Sequence, residues 1–437
     1  MQMAATQDLV VPGSSDSARR WQATTIAKIG FWAVALFIAQ LYLALAQWQP
    51  ALEPLHLPLV LSLVGLSSIF LHRVLTGQPL WLGWRTALLA VYAGTAVLSP
   101  MWAIDRPTTV VGALEVAKHF LFFISVLNTT NTPARIRTAL FLYCVAAIIP
   151  AWGTWWNYSH DLLLVEGFRG RWLGVLADPN HDAMALVGVV PILLYFATGK
   201  NQSWVKRLVG AVGVVVCLMG IIATHSRGGS LGLAVSVVVF ALMSRRKALA
   251  SIVVLVAAAG VLILAPQSFW QRNETIAGYA EDASVQGRIN AWHVAFRIAR
   301  ERPLLGVGEA GFLSAWKQYA AIDAPIKHPY VAHNLFLEVI GELGFVGLFG
   351  MVGLLLCSLW SGWRARNGEL GGEARAVFAA LVGYLVCQLF SGYSLSWFLY
   401  ARCAFSACCD IWAPKAAAQP AAPPLPIGGF DGLGRVA

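Results

Sequence analysis

Apolar residues in this chain come in long, nearly uncharged runs. They lie near 29–47, 54–72, 84–103, 108–127, 137–156, 181–198, 207–224, 229–243, 248–265, 334–360, 376–392 and 394–412. A helix that crosses a bilayer takes about 20 mostly apolar residues. The pattern therefore predicts an all-α polytopic membrane protein of about 12 transmembrane helices. The run at 229–243 is short, and only Gly392-Tyr393 separates the last two, so eleven to thirteen helices fit the same pattern.

The polar segments between the runs alternate in kind. Arg19, Arg20 and Lys28 precede the first run, and Arg73 and Arg85 follow the second. Arg135 and Arg137, then Lys200, Lys206 and Arg207, then Arg245, Arg246 and Lys247, then Arg364, Arg366 and Arg375 occupy every second loop thereafter. Basic loops mark the cytoplasmic side. Both termini are then cytoplasmic, and 48–53, 104–107, 157–180, 225–228, 266–333 and 392–393 face outward. The chain divides into a cytoplasmic segment (1–28), nine helices (29–265), a large outer loop (266–333), three helices (334–412) and an Ala/Pro/Gly-rich tail (413–437) expected to be disordered. The large loop is too long for a plain connection. Within it Ile289, Trp292, Phe296 and Ala299 recur at helical spacing, which predicts an amphipathic helix on the outer membrane surface.

Composition agrees with lipid as the solvent. Hydrophobic residues make up 58% and charged residues 12%, against roughly 25% charged in a soluble protein. A net charge of +10 would suit nucleic acid. The Lys and Arg, however, sit in short clusters between apolar runs, so the charge sets orientation and no nucleic-acid partner is expected. The seven cysteines fall in or beside apolar runs, with spacing for neither a disulfide framework nor a metal. About 25 polar residues precede the first run and no small-residue cleavage site follows it, so no cleavable signal is expected.

Four outward patches could carry chemistry. They are Gly167-Phe168-Arg169-Gly170-Arg171-Trp172 leading into Asp178-Pro179-Asn180-His181; Thr224-His225-Ser226-Arg227-Gly228-Gly229; Gln286-Gly287-Arg288 through Pro303-Leu304-Leu305-Gly306-Val307-Gly308; and His328-Pro329-Tyr330-Val331-Ala332-His333-Asn334. Together they bring Arg, Gly and His to the membrane edge. Arg binds phosphate oxygens through a planar fork and keeps its charge when partly desolvated. A His at a helix N-terminus is held neutral by the positive end of the dipole. Such residues suit an anionic lipid headgroup beside a proton acceptor. Taken singly, an edge Arg is an anchor that snorkels and a His at a helix start is a cap or packing residue; four patches on one face weigh the other way. Glu115, Lys118 and His119 read as an internal ion pair within the fourth helix. Glu338 is about 140° around the helix from His333, which excludes a dyad. Arg402 is expected to pair within the bundle.

The stretch ending in Asp178-Pro179-Asn180, the Ser226-Arg227-Gly228 turn, Pro303-Leu304-Leu305-Gly306-Val307-Gly308, and Ala332-His333-Asn334-Leu335-Phe336-Leu337 with Glu342-Leu343-Gly344 resemble the O-antigen ligase family. That superfamily also holds O-antigen polymerases and protein O-oligosaccharyltransferases. The resemblance implies a GT-C-like, inverting, metal-independent glycosyltransferase of the bacterial inner membrane, without a cofactor. It would move a glycan from undecaprenyl pyrophosphate to lipid A–core on the periplasmic side. The family's essential His matches His333 and its essential Arg matches Arg227; Arg288, Arg169 and Arg171 match as further donor pyrophosphate ligands, with either of the last two as the equivalent. Asn180, Asn334 and His328 are expected to support the site. One long outer loop fits the ligase, whereas polymerases tend to carry two. A reading from another class is a transporter or flippase for a lipid-linked glycan, which favours internal repeats and polar residues at the bilayer midplane; here the polar clusters sit at helix ends.

Overall fold

A computed structural model describes residues 14–247, 283–320 and 328–412, with isolated positions between 248 and 282. The described residues form helices, turns and one isolated bridge between Val165 and Arg169. In chain order the helices are α1 (Ser14–Leu43), α2 (Leu45–Trp48), α3 (Leu57–Thr76), α4 (Trp84–Leu98), α5 (Arg106–Thr129), α6 (Pro133–Ser159), α7 (Pro179–Val187), α8 (Val190–Thr198), α9 (Trp204–Ala223) and α10 (Arg227–Met243). They continue with α11 (Ala283–Glu301), α12 (Phe312–Tyr319), α13 (Leu335–Ala365), α14 (Gly371–Gln388) and α15 (Trp397–Ile411).

Among the described residues, seven stretches are long and apolar enough to cross a membrane: Arg19–Leu43, Pro50–Thr76, Arg106–Thr129, Pro133–Ser159, Pro179–Thr198, Trp204–Ala223 and Leu335–Ala365. The runs at 84–103, 229–243, 376–392 and 394–412 also form helices, which are shorter or less apolar. The run at 248–265 and the tail 413–437 lie outside the described residues, apart from a few isolated positions in the former. The first helix begins at Ser14, within the segment expected to precede it.

The basic loops gather at one end of the bundle. Arg85 at the start of α4 pairs with Asp410 at the end of α15, which also accepts from Arg364 Nε at the end of α13 at 2.9 Å. Arg137 at the start of α6 reaches Glu369 and Glu373 at the start of α14. Arg245 donates to Asn367 and Arg246 to the Thr198 carbonyl. The candidate residues lie at the other end.

Two apolar runs are interrupted, and each interruption is sealed from within the protein. Between α7 and α8 the chain passes through Gly188. The fully buried Arg402 of α15 fills this break, donating to the carbonyls of Ala185 at 2.7 Å, Gly188 at 3.4 Å and Phe398 at 2.8 Å. Its guanidinium also lies 4.2 Å from the centre of the Tyr384 ring. A Cβ at position 188 would collide with that guanidinium. The partners expected for Arg402 inside the bundle are thus carbonyl oxygens.

The second break is at Gly344 (φ 63°, ψ −162°), inside α13. The turn Pro303–Gly308 lies against it. Val307 and Gly308 donate to the Gly341 and Glu342 carbonyls at 3.1 and 2.9 Å, while Phe345 and Val346 donate to the Pro303 and Leu304 carbonyls at 2.7 and 3.3 Å. Two carbonyls and two N–H groups flanking the break are thus bonded by the turn, as irregular backbone at membrane depth requires. Glu342 completes the seat by accepting from the backbone N–H of Ala310 and Phe312.

Two expectations change. Glu115 and Lys118 do pair, but on an outward groove, with 36% and 54% of their side chains exposed; the buried member of the trio is His119, ringed by Trp397 and Tyr400. The ion pair is not internal because the 3.6-residue period sends His119 inward and its neighbour outward. Helix α11 is amphipathic, but its buried face is Ala291, Val294, Ala295 and Ile298, packed on Val307, Phe312, Trp316, Tyr319 and Ala332. The expected stripe lies beside that face, with Phe296 exposed and Trp292 donating to the Ala332 carbonyl at 2.9 Å.

Candidate functional site

Three helix N-termini come together at the end opposite the basic loops, each begun by a capping residue. Asp178 caps α7, its Oδ1 accepting from the N–H of Asn180 at 2.8 Å and of His181 at 3.1 Å; Pro179 follows at the first helical position, where no N–H is needed. Ser226 caps α10 through the Gly229 N–H at 3.2 Å. Asn334 caps α13 through the N–H groups of Phe336 and Leu337, and its Nδ2 donates to the Leu389 carbonyl at 3.2 Å. Asn334 is therefore placed as a backbone clasp between α13 and α14.

Arg169 ties the first two N-termini together. Its guanidinium is buried and donates to the Thr224 carbonyl at 3.0 Å and to Asn180 Oδ1 at 2.7 Å, with Glu166 at 3.5 Å. The same Asn180 oxygen accepts from Ser226 Oγ at 3.0 Å. Arg227, half-buried, is the next residue and the first of α10. Arg171 is used differently. It donates to the backbone carbonyls of Leu163 and Ala177 at 3.1 and 2.9 Å and so staples the loop that carries Arg169. Of the two arginines, Arg169 is the one at the convergence of the helix N-termini.

His333 stands immediately before the Asn334 cap, in the left-handed region at φ 48°. His225, before the Ser226 cap, is there too at φ 50°, its ring 5.2 Å from Tyr158 and 5.5 Å from Phe168. Non-glycine residues held in this conformation cost about 1–3 kcal/mol and cluster at functional sites. Burial and then the Arg288 guanidinium hold the His333 imidazole down at about 4, against an upward pull from Asp178. Burial alone would raise the Asp178 carboxyl, but His181, the two capping N–H groups and Arg169 together hold it below its ordinary value. His333, Arg288, Asp178, His181 and Arg169 thus act on one another electrostatically. Burial first and Arg288 second thus favour the neutral imidazole at position 333.

Arg288 is in the first turns of α11, and Gly287 beside it packs on the Tyr330 ring. Tyr330 lies 5.3 Å from His333 and 6.2 Å from the exposed His328, and so stands between His328 and the site. Tyr393, outside the four patches, stacks on His181 at 4.5 Å with rings 13° apart. The Tyr393 segment is held by Glu338, which accepts from the N–H and Oγ of Ser394 at 3.0 and 2.7 Å. Glu338 is therefore a support for the 392–396 turn. A carboxylate one turn after the Asn334 cap was the available signal.

Guanidinium groups and helix N-termini favour a bound anion, and a neutral imidazole accepts a proton. Fold and site together give a multi-pass helical bundle with guanidinium groups, helix N-termini and the His333 imidazole gathered at one end. Residues 212–352 match the family model described as O-antigen ligase. The chain is 26% identical over 308 residues to the O-antigen ligase of Pseudomonas aeruginosa, an alignment that covers 68% of each protein. These two similarities bear out the resemblance to that family. Arg227, Arg288, His328, His333 and Asn334 lie in the matched stretch; Arg169, Arg171 and Asn180 precede it.

Proposed function

We propose that this chain is an inverting, metal-independent O-antigen ligase of the bacterial inner membrane, with twelve spanning helices, a GT-C-like fold, cytoplasmic termini and a periplasmic site. It transfers a glycan from undecaprenyl pyrophosphate to lipid A–core. The observation that carries the reading is His333, favoured in its neutral form by burial and within electrostatic reach of Arg288 and Arg169, at the end of the bundle away from the basic loops. The acceptor hydroxyl loses its proton to His333 as its oxygen bonds to the anomeric carbon. The carbon–oxygen bond to the pyrophosphate breaks, and the electron pair leaves with the phosphate. Attack opposite the leaving group inverts the anomeric centre. Arg227, Arg288 and Arg169 stabilise the charge gathering on the pyrophosphate.

Broken helices also occur in transporters, where half-helix ends line a substrate path. Here Arg402 fills one break and the Pro303–Gly308 turn fills the other, which favours the enzyme. Deleting the gene and analysing the lipopolysaccharide tests the proposal. Core without O-antigen, with long chains left on the carrier lipid, supports the ligase. Core bearing a single repeat unit means a polymerase. In proteoliposomes, transfer from donor supplied only on the outside excludes a flippase.

A further inference from the structure

Asp182 is a buried carboxyl that the transfer chemistry does not use. It lies one turn into α7, beyond the Asp178 cap, and its side chain is fully buried. Its Oδ2 accepts from Thr154 Oγ1 of α6 and from the Trp172 N–H at 3.1 Å. Its Oδ1 has no hydrogen-bond partner among the described residues. Burying a carboxyl with one oxygen unbonded costs free energy. An apolar side chain of the same volume would fill the space without that cost, so packing does not account for the carboxyl.

What it holds is the loop that carries Arg169. Trp172 follows Arg169 closely, and its ring is sunk into α6 over Gly153, where a Cβ would collide with it. The carbonyl of Arg171 accepts from Asn157 Nδ2 at 2.9 Å. Gly170 donates to the Ala223 carbonyl at 2.9 Å, and a Cβ on Gly170 would meet the Thr154 carbonyl oxygen at 2.9 Å.

Loop and α7 therefore touch at two levels. Arg169 donates to Asn180 Oδ1 at 2.7 Å, and further along the helix Asp182 accepts from the loop backbone. A single contact would leave the loop free to pivot about it, whereas a second fixes its direction. Thr154 adds α6, so the carboxyl is the junction of α6, α7 and the loop.

We infer that Asp182 is a positioning residue, which sets the direction in which the Arg169 guanidinium meets the donor pyrophosphate. The assignment rests on the proposed donor. Asp182 touches no substrate and acts through Trp172 and Arg169.

The test measures binding of a polyprenyl pyrophosphate without glycan to the full chain in nanodiscs, by isothermal titration calorimetry. Asp182→Leu removes the acceptor and keeps the volume. It should weaken binding by about 10- to 100-fold, the scale of a binding group misplaced by about an ångström. Asp182→Asn should restore binding toward wild type, because its amide oxygen accepts the same two bonds. In an Arg169→Ala background Asp182→Leu should cost no further binding, since residues that act through one another are not additive. A merely structural carboxyl predicts equal losses in both backgrounds. That result, or wild-type binding by Asp182→Leu, overturns the assignment. Where Asp182→Leu fails to insert, Thr154→Val carries the same comparison. It deletes one bond to the carboxyl and should weaken binding about threefold, the worth of one neutral hydrogen bond, with Arg169 present and not without it. Equal weakening in both backgrounds overturns the assignment. Binding needs no transfer. A chain that binds with this coupling but moves no glycan keeps Asp182 as a positioning residue and loses the proposed function. A wild-type chain that does not bind the pyrophosphate loses both.

Discussion

Arg169 and Asn180 meet at 2.7 Å, the guanidinium of one loop against the second residue of a helix, and that bond joins two of the three helix N-termini at the site. Asn180→Ala leaves Arg169 and Ser226 Oγ without their common acceptor. Misplacing a binding group by about an ångström costs on the order of 100-fold. Transfer should fall by about that factor, mostly as raised donor KM. Asn180→Asp should also raise donor KM, since its carboxylate competes with the pyrophosphate for Arg169. Steady-state kinetics on matched membrane levels decides; wild-type KM for Asn180→Asp would show that Arg169 does not meet the donor.

His333→Ala should lower transfer by about 10²–10⁴-fold, the usual contribution of a general base, while the protein still inserts and elutes as a single species from size-exclusion chromatography. Near-normal turnover would make His333 structural.

The pH profile follows from the same histidine. With the imidazole held down at about 4, transfer should stay flat from neutral pH down and fall only as pH approaches that value. Arg288 disfavours protonation of His333, so Arg288→Gln should move the acid limb up toward the ordinary histidine range near 6.5. Residual activity, or the histidine Hε1 resonance followed by NMR, reads the shift. A downward shift would contradict the assigned direction of the Arg288 effect.

Arg227→Ala should lose most transfer, and Arg227→Lys should lose much of it, because Lys keeps the charge without the bidentate fork. An anchor would tolerate Lys, which snorkels as well as Arg. Donor binding and transfer for both variants separate the roles.

Orientation is open to labelling. Cysteines placed at Ser244 and Ser284 should differ in intact spheroplasts: a membrane-impermeant maleimide should modify the second and spare the first. Labelling at position 244 would invert the topology.

Much of this architecture was readable from composition alone. Long uncharged runs must be helices in lipid, since no other backbone arrangement but a closed barrel satisfies itself there. The basic loops were readable because charge is excluded from hydrocarbon wherever it falls. The choice between Arg169 and Arg171 was not: two identical side chains one residue apart differ only in where the turn through Glu166 and Gly167, both at positive φ, sends them. The buried face of α11 was misplaced because three of its members are alanine or valine, which carry less weight in an apolar pattern than the exposed Phe296. The break at Gly344 was hidden because both flanks are equally apolar.

That break bears on how the chain is assembled. Until the Pro303–Gly308 turn docks, the peptide groups on either side of Gly344 have no partners, and leaving such groups unbonded in an apolar setting costs several kcal/mol. The turn precedes α13 in the chain, so it leaves the ribosome first and is present when the helix needs it. A membrane-insertion intermediate containing α13 but with the turn deleted should be recognised as incomplete by quality-control proteases. Biogenesis of the last three helices therefore depends on a segment with no membrane span of its own.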